Sequence, residues 1–244
     1  MKRPGIFDGV GVGPGDPELL TVKAVNVLKG ADVIAVPRSS DSSADGLSQA
    51  LLIAKRAVDL EGKVLLELLF PMTKDGQALD SARREAAAKV ALALDSGRTV
   101  AFITLGDPML YSTFSYLVPF VRELSPNAPV RVVPGITSFG AAASAKGAPL
   151  AEADEKVMIV PAAYDIDEVR GLLDSADTLV FMKVNRIFDR LLDLLVSMGL
   201  EGKAFLVSRA GWPEEKVVTD IKTLRGVKLD YFSTLIVKKG GATA

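Results

Sequence analysis

Between an apolar, strand-like run and a helix-like run stands Gly9-Val10-Gly11-Val12-Gly13-Pro14-Gly15-Asp16-Pro17, and no other stretch constrains the fold as strongly. Glycine permits positive φ and close backbone approach, proline fixes φ, and a helix starting near Glu18 or Thr21 aims its N-terminal amides back at the turn. Such a loop builds a site. A dinucleotide or phosphate is the first ligand to consider, and the spacing rejects both. In G-x-G-x-x-G counted from Gly9 the third glycine position holds Pro14, and counted from Gly11 it holds Asp16. No Gly-Lys-Ser/Thr triplet completes a P-loop. A carboxylate at Asp16 also opposes a polyanion, so the loop suits a ligand that is neutral or cationic at its reacting end.

Strand-like and helix-like runs alternate along the chain. Of its 244 residues 49% are hydrophobic but only 6% aromatic, and this aliphatic surplus fits parallel strands covered by helices on both faces. Strands are expected over residues 5–11, 32–36, 64–70, 98–104 and 130–133, with helices over 21–29, 47–57 and 82–94. Residues 112–123 read as a helix leaving the first domain. In the second half strands are expected at 157–160, 178–184, 204–207, 217–221 and 231–237, and helices at 138–145, 166–173 and 187–198. The late strands follow one another closely, which predicts antiparallel pairing. The expected fold class is therefore α/β with two domains, 1–115 and 116–244: a mainly parallel N-terminal sheet and a mixed C-terminal one. The polar stretch 37–46 is too hydrophilic to pack and reads as a flap.

The sequence excludes several chemistries. It contains no histidine and no cysteine, which removes disulfides, thiolate and imidazole catalysis, and metal ligation by these residues. No protein-held metal is expected. The net charge of −1 supplies no field for nucleic acid or an anionic membrane. No apolar run reaches the about 18 to 20 residues that span a bilayer, and no signal-peptide core follows Met1, so a cytoplasmic location is expected.

Three small-residue loops stand at expected strand ends: 11–17, 105–112 and 134–138. Open α/β sheets bind ligands at the carboxyl ends of their strands, so these loops can share one site. Taken singly, Gly106-Asp107-Pro108 is a turn and Thr137-Ser138 a helix cap. Their joint order resembles the tetrapyrrole methylases, which carry a G-x-G-P-G-D loop, a G-D-P loop and a V-P-G-[IV]-[TS]-[SA] loop. Here these read Gly11 to Asp16, Gly106-Asp107-Pro108 and Val133-Pro134-Gly135-Ile136-Thr137-Ser138. The resemblance spans nearly the whole chain. Phe70-Pro71-Met72, Leu110-Tyr111-Ser112-Thr113, Met182-Lys183-Val184 and residues 231–237 look like the branch of that family that methylates C20 of precorrin-2 or cobalt-factor II in cobalamin biosynthesis. Leu105, where many relatives have glycine, agrees with that branch.

The resemblance implies S-adenosylmethionine (SAM) as cofactor, in a cleft between the two domains, with S-adenosylhomocysteine as product. It implies cofactor contacts at Pro14, Leu105, Gly106, Asp107, Leu110, Thr137, Ser138, Met182 and Ala210, with Ser233 and Thr234 as further candidates. It also implies a homodimer, and cobalt only as part of the substrate. Transfer of an activated methyl needs a base only to take the C20 proton afterwards. Asp107 is the first candidate, and Tyr111 is a poorer one because a phenol is protonated at neutral pH. The substrate's carboxylate fringe calls for basic residues, and Arg38, Lys74 and Arg83, near early strand ends, are the candidates. The rival readings are another ring position, diphthamide or ribosomal RNA methylation, and non-catalytic tetrapyrrole binding.

Overall fold

The computed structural model describes residues 5–39, 48–161 and 166–240. It divides into two compact units, Met1–Thr137 and Ser138–Ala244. Among the described residues no helix is long and apolar enough to cross a membrane.

The first unit alternates strictly: β1 (Phe7–Gly11), α1 (Val22–Gly30), β2 (Val33–Ser39), α2 (Gln49–Ala57), β3 (Val64–Phe70), α3 (Gly76–Asp95), β4 (Val100–Thr104), α4 (Thr113–Leu124) and β5 (Val130–Val133). Its sheet has the order β3-β2-β4-β1-β5, and each neighbouring pair is parallel. Helix starts follow local chemistry. Thr21, Asp75 and Ser112 each accept backbone N–H bonds at the first turns of α1, α3 and α4, satisfying donors that a helix leaves open. On one face Phe7, Phe102 and Phe114 meet at centroid distances of 5.2 and 5.7 Å, in a core with Val33, Leu68, Val90 and Leu117.

The second unit contains α5 (Ser138–Lys146), β6 (Val157–Val160), α6 (Ile166–Ser175), β7 (Thr178–Met182), α7 (Phe188–Ser197), β8 (Ala204–Ser208), β9 (Lys216–Val218) and β10 (Ser233–Lys238). Strand order is β6-β7-β10-β8-β9. Only β6 and β7 run parallel; β10 is antiparallel to both β7 and β8, and β8 to β9. The residues of β7 alternate between faces. Leu179 and Phe181 pack with Leu173, Leu191 and Leu195 of α6 and α7, whereas Val180 packs with Ala141 and Ala142 of α5.

The mixed second sheet and all-parallel first sheet match the expected fold class. The first unit runs to Thr137, beyond the 115/116 division expected from sequence, because β5 completes the first sheet through its pairing with β1. For the same reason α4 does not leave the first unit: its Phe114, Leu117 and Val121 are core residues there. β7 stops at Met182 because Lys183 turns into the left-handed region and opens a short 3-10 turn, Val184–Arg186. Of the expected flap, Pro37 to Ser39 continue β2 beside β3, and residues 40–46 lie outside the described residues.

Candidate functional site

In the first unit β1 lies between β4 and β5, so the loops that follow these three strands are neighbours. They are knitted backbone to backbone. Gly106 N donates to Gly13 O at 2.8 Å and Val12 N to Thr104 O at 2.9 Å. A Cβ on Gly135 would lie 2.0 Å from Gly106 O and 2.9 Å from the Cα of Gly11, and a Cβ on Gly11 would lie 2.5 Å from Gly106 O. No real Cβ tolerates such contacts, so these two glycines are fixed by close approach. Gly13 and Gly106 are glycines for another reason, their φ values of +75° and +65°.

Asp107 closes this junction. Its Oδ1 accepts from Met109 N at 2.8 Å, within its own turn, and its Oδ2 accepts from Gly135 N at 2.9 Å, across to the third loop. Both oxygens therefore hold backbone, a role for this carboxylate that sequence reasoning did not reach. Asp16 does the same on a smaller scale: it caps the 3-10 turn Pro17–Leu19 through Glu18 N at 2.8 Å. Thus a carboxylate already takes the backbone N–H at the start of this turn. Pro14 is buried, while Leu105, Leu110 and Thr137 are half-buried beside these glycines in sequence. The loops expose Met109, Tyr111 and Ile136, at 61%, 48% and 38%. Tyr111 holds φ +52°, a conformation that costs a non-glycine residue about 1 kcal/mol or more.

The second unit gathers its candidates at the other kind of strand junction. Because β10 is antiparallel to β7 and β8, the ends of those strands meet its beginning. Thr234 pairs with both Met182 and Val207, and Ser233 pairs with Ser208, whose hydroxyl accepts from Ser233 Oγ at 3.3 Å. Ser233, Thr234 and Ala210 are buried, and Met182 and Ala210 share the apolar cluster under α5. Met182, Ala210, Ser233 and Thr234 thus come together, with Ser138 at the start of α5.

Two basic residues at these strand ends escaped the sequence reading. Lys183 follows Met182 with φ +57°, and Arg209 precedes Ala210 with φ +52°. The Lys183 ammonium lies 5.8 Å from the Tyr231 ring centroid, and Tyr231 meets Phe232 edge-on at 5.3 Å. The Arg209 guanidinium lies 6.0 and 5.8 Å from the Trp212 and Phe232 rings and binds Asp230 at 2.9 Å. Among the described residues no carboxylate forms an ion pair with Lys183. Left-handed backbone at a residue other than glycine is the signal of a constrained side chain, and sequence alone does not print φ.

The three substrate-binding candidates differ in their surroundings. Arg38 pairs with Glu67 on the neighbouring strand at 2.6 Å, and Arg83 pairs with Asp80 in the same helix at 2.9 Å and stacks 4.9 Å from the Tyr116 centroid. Lys74 is exposed between β3 and α3.

Residues 7–225 match the family model of the Tetrapyrrole (Corrin/Porphyrin) Methylases. The chain belongs to that family. It is 40% identical over 235 residues to a probable cobalt-precorrin-2 C(20)-methyltransferase of Methanocaldococcus jannaschii, covering 95% of each chain. It is 34% identical to a precorrin-2 C(20)-methyltransferase of Sinorhizobium, covering 94% of this chain and 93% of that one. Among solved structures it resembles a cobalt precorrin-4 methyltransferase with TM-score 0.71 at 21% identity, over 95% of this chain and 94% of that one. The three loops at the strand ends carry no Lys or Arg and two carboxylates, Asp16 and Asp107.

Proposed function

We propose that this chain transfers a methyl group from SAM to C20 of precorrin-2 or cobalt-factor II, in cobalamin biosynthesis. The observation that carries this reading is the Gly11–Gly106–Gly135 junction closed by Asp107, in a family member whose relatives act at C20. Bound SAM supplies an already activated methyl group. The chain's own residues bind, orient and exclude water. Pro14, Leu105, Gly106, Leu110 and Thr137 of the first cluster and Ser138, Met182, Ala210, Ser233 and Thr234 of the second contact the cofactor.

Asp107 acts here chiefly by holding the loops, since both of its oxygens already accept backbone bonds. A proton leaving C20 passes to water, and Tyr111, exposed and held at φ +52°, lies on the loop beside it. Met109, Tyr111 and Ile136 offer an apolar surface to a macrocycle. Lys183, with no carboxylate partner among the described residues, is the basic residue most available to a carboxylate of the substrate. Arg38 and Lys74 supply further charge, with Arg83 the most engaged elsewhere. Cobalt, where present, arrives inside the substrate.

The protein acts in the cytoplasm as a homodimer. Support for self-association comes from edge strand β3, which exposes Val64, Leu65 and Leu69, followed by Met72; a surface of this kind favours an apolar, two-fold interface. Light scattering at micromolar concentration tests that state.

The deciding experiment incubates the protein with SAM and either metal-free or cobalt-loaded dimethylated substrate, followed by mass spectrometry. Gain of one methyl group at C20 is the expected result. Methylation at another carbon, or none with SAM bound, overturns the assignment.

A further inference from the structure

Upstream of two of the junction loops lies an ion pair for which methyl transfer itself has no use. Asp8, in β1, has 0% exposure and stands directly across from Arg131 in β5. Guanidinium and carboxylate meet as a fork, Nε to Oδ1 and Nη2 to Oδ2, each at 2.7 Å. Half of the Arg131 side chain still contacts water, with 52% exposure. Hydrogen bonding to Asp8 raises the Arg131 pKa above the usual arginine value, so the guanidinium stays charged at any working pH.

β5 is the weakly held member of its sheet. It has four residues, lies at the edge and pairs with β1 alone. A slip by one residue would turn each side chain to the opposite face and shift the strand by about 3.3 Å. The loop it feeds allows no such play, since Gly135 packs directly on Gly106 O and the Cα of Gly11 while its N–H reaches Asp107. In a slipped register Arg131 would turn toward the face that holds Phe7, Phe102 and Phe114, and Asp8 would remain buried without its partner. Leaving a buried charge unpaired costs far more than the intact pair contributes to overall stability.

We propose that the Asp8–Arg131 pair is a register lock for the cofactor loops: it fixes β5 in the one alignment that presents Gly135 to Asp107. This rests on the reading of those loops as a SAM site. Both are positioning residues, acting through strand alignment and touching no ligand. The pair works mainly by penalising the wrong alignments, and its removal therefore loosens one loop without dissolving the unit.

The test uses the full chain with Asp8→Leu and Arg131→Leu together, because an apolar replacement of both partners is often neutral for stability. Thermal melting should stay close to wild type. The Gly135 amide should exchange about tenfold faster, while the Gly106 amide, bonded to Gly13, keeps its protection. SAM should bind about tenfold more weakly by calorimetry. Arg131→Lys, which keeps the charge but loses the fork, should fall between the two and serves as second variant should the double one not fold. Gly135 protection and SAM affinity both unchanged in a folded variant overturn the lock. A wild-type protein that binds no SAM overturns instead the reading of the loops, and Gly135 exchange then still decides the lock.

Discussion

At the carboxyl ends of β1, β4 and β5 the first unit presses backbone on backbone, Gly135 against Gly106 and Gly11, with Asp107 closing the junction. At the ends of β7 and β8 the second unit sets Lys183 and Arg209 in left-handed backbone beside Tyr231 and Phe232. The first arrangement has no room for an added carbon at Gly11 or Gly135 and holds Gly106 at positive φ, so its sequence is nearly dictated. The second depends on side chains that can be shortened or exchanged while the strands stay paired. If the chain acts as proposed, a change at a junction glycine should weaken binding of the cofactor, and a change at Lys183 should weaken binding of the macrocycle.

The sharpest way to break this contrast is Gly135→Ala. Its Cβ would meet Gly106 O at 2.0 Å, and overpacking against backbone costs about 3 kcal/mol, or about a hundredfold in SAM affinity. Gly106→Ala meets nothing nearer than Ile136 O at 3.9 Å and should cost only its positive-φ strain, about 1 kcal/mol. Calorimetry on both variants checks the order. Equal SAM affinity in Gly135→Ala and wild type would remove the junction from the cofactor site.

Next in size is Asp107→Asn. The amide oxygen can replace Oδ1 toward Met109 N, but its NH2 group then faces the Gly135 N–H, donor against donor. A lost charge-assisted hydrogen bond is worth about 1.5 to 3 kcal/mol, so SAM affinity should fall about tenfold or more. Catalysis by Asp107 as the base makes a different forecast: turnover lower by about 10²-fold with SAM affinity unchanged. Single-turnover rates measured at saturating SAM separate the two.

The residues changed in these variants differ in how legible they are from the sequence. The glycine motifs are legible because spacing alone excludes phosphate and because left-handed or crowded backbone leaves few residue choices. The alternation of runs gives the strands and most helix ends through caps such as Thr21 and Ser112. The unit division is less legible, since nothing local to residues 130–133 says that this strand pairs with residues 7–10, more than a hundred positions earlier. Lys183 and Arg209 were passed over because their distinction lies in φ and in partners brought by β10, both products of tertiary packing.

Lys183→Gly sharpens the second half of the contrast. Glycine adopts φ +57° without strain, which offsets its larger unfolded-state entropy, so thermal stability should hold. KM for the tetrapyrrole should rise about tenfold through loss of one charge-assisted contact, with SAM affinity unchanged. Lys183→Arg should recover most of it. A KM that stays at the wild-type value would leave Lys183 as an ornament of the Tyr231 surface.

The smallest effect is expected at Arg83, and the reason is its engagement. Its guanidinium already lies over the Tyr116 ring and pairs with Asp80, so the side chain ties α3 to α4 rather than waiting for a ligand. To hold a substrate carboxylate it would first have to leave a cation–π contact worth about 0.5 to 1 kcal/mol. Arg38 has to exchange Glu67 for the substrate, but that exposed pair is worth only about 0 to 1 kcal/mol. Arg83→Ala should therefore change the tetrapyrrole KM by less than about twofold while lowering thermal stability slightly, whereas Arg38→Ala should raise KM by more. Steady-state kinetics and melting curves on the two variants decide the order, and a larger KM effect at Arg83 with stability intact would return it to the substrate site.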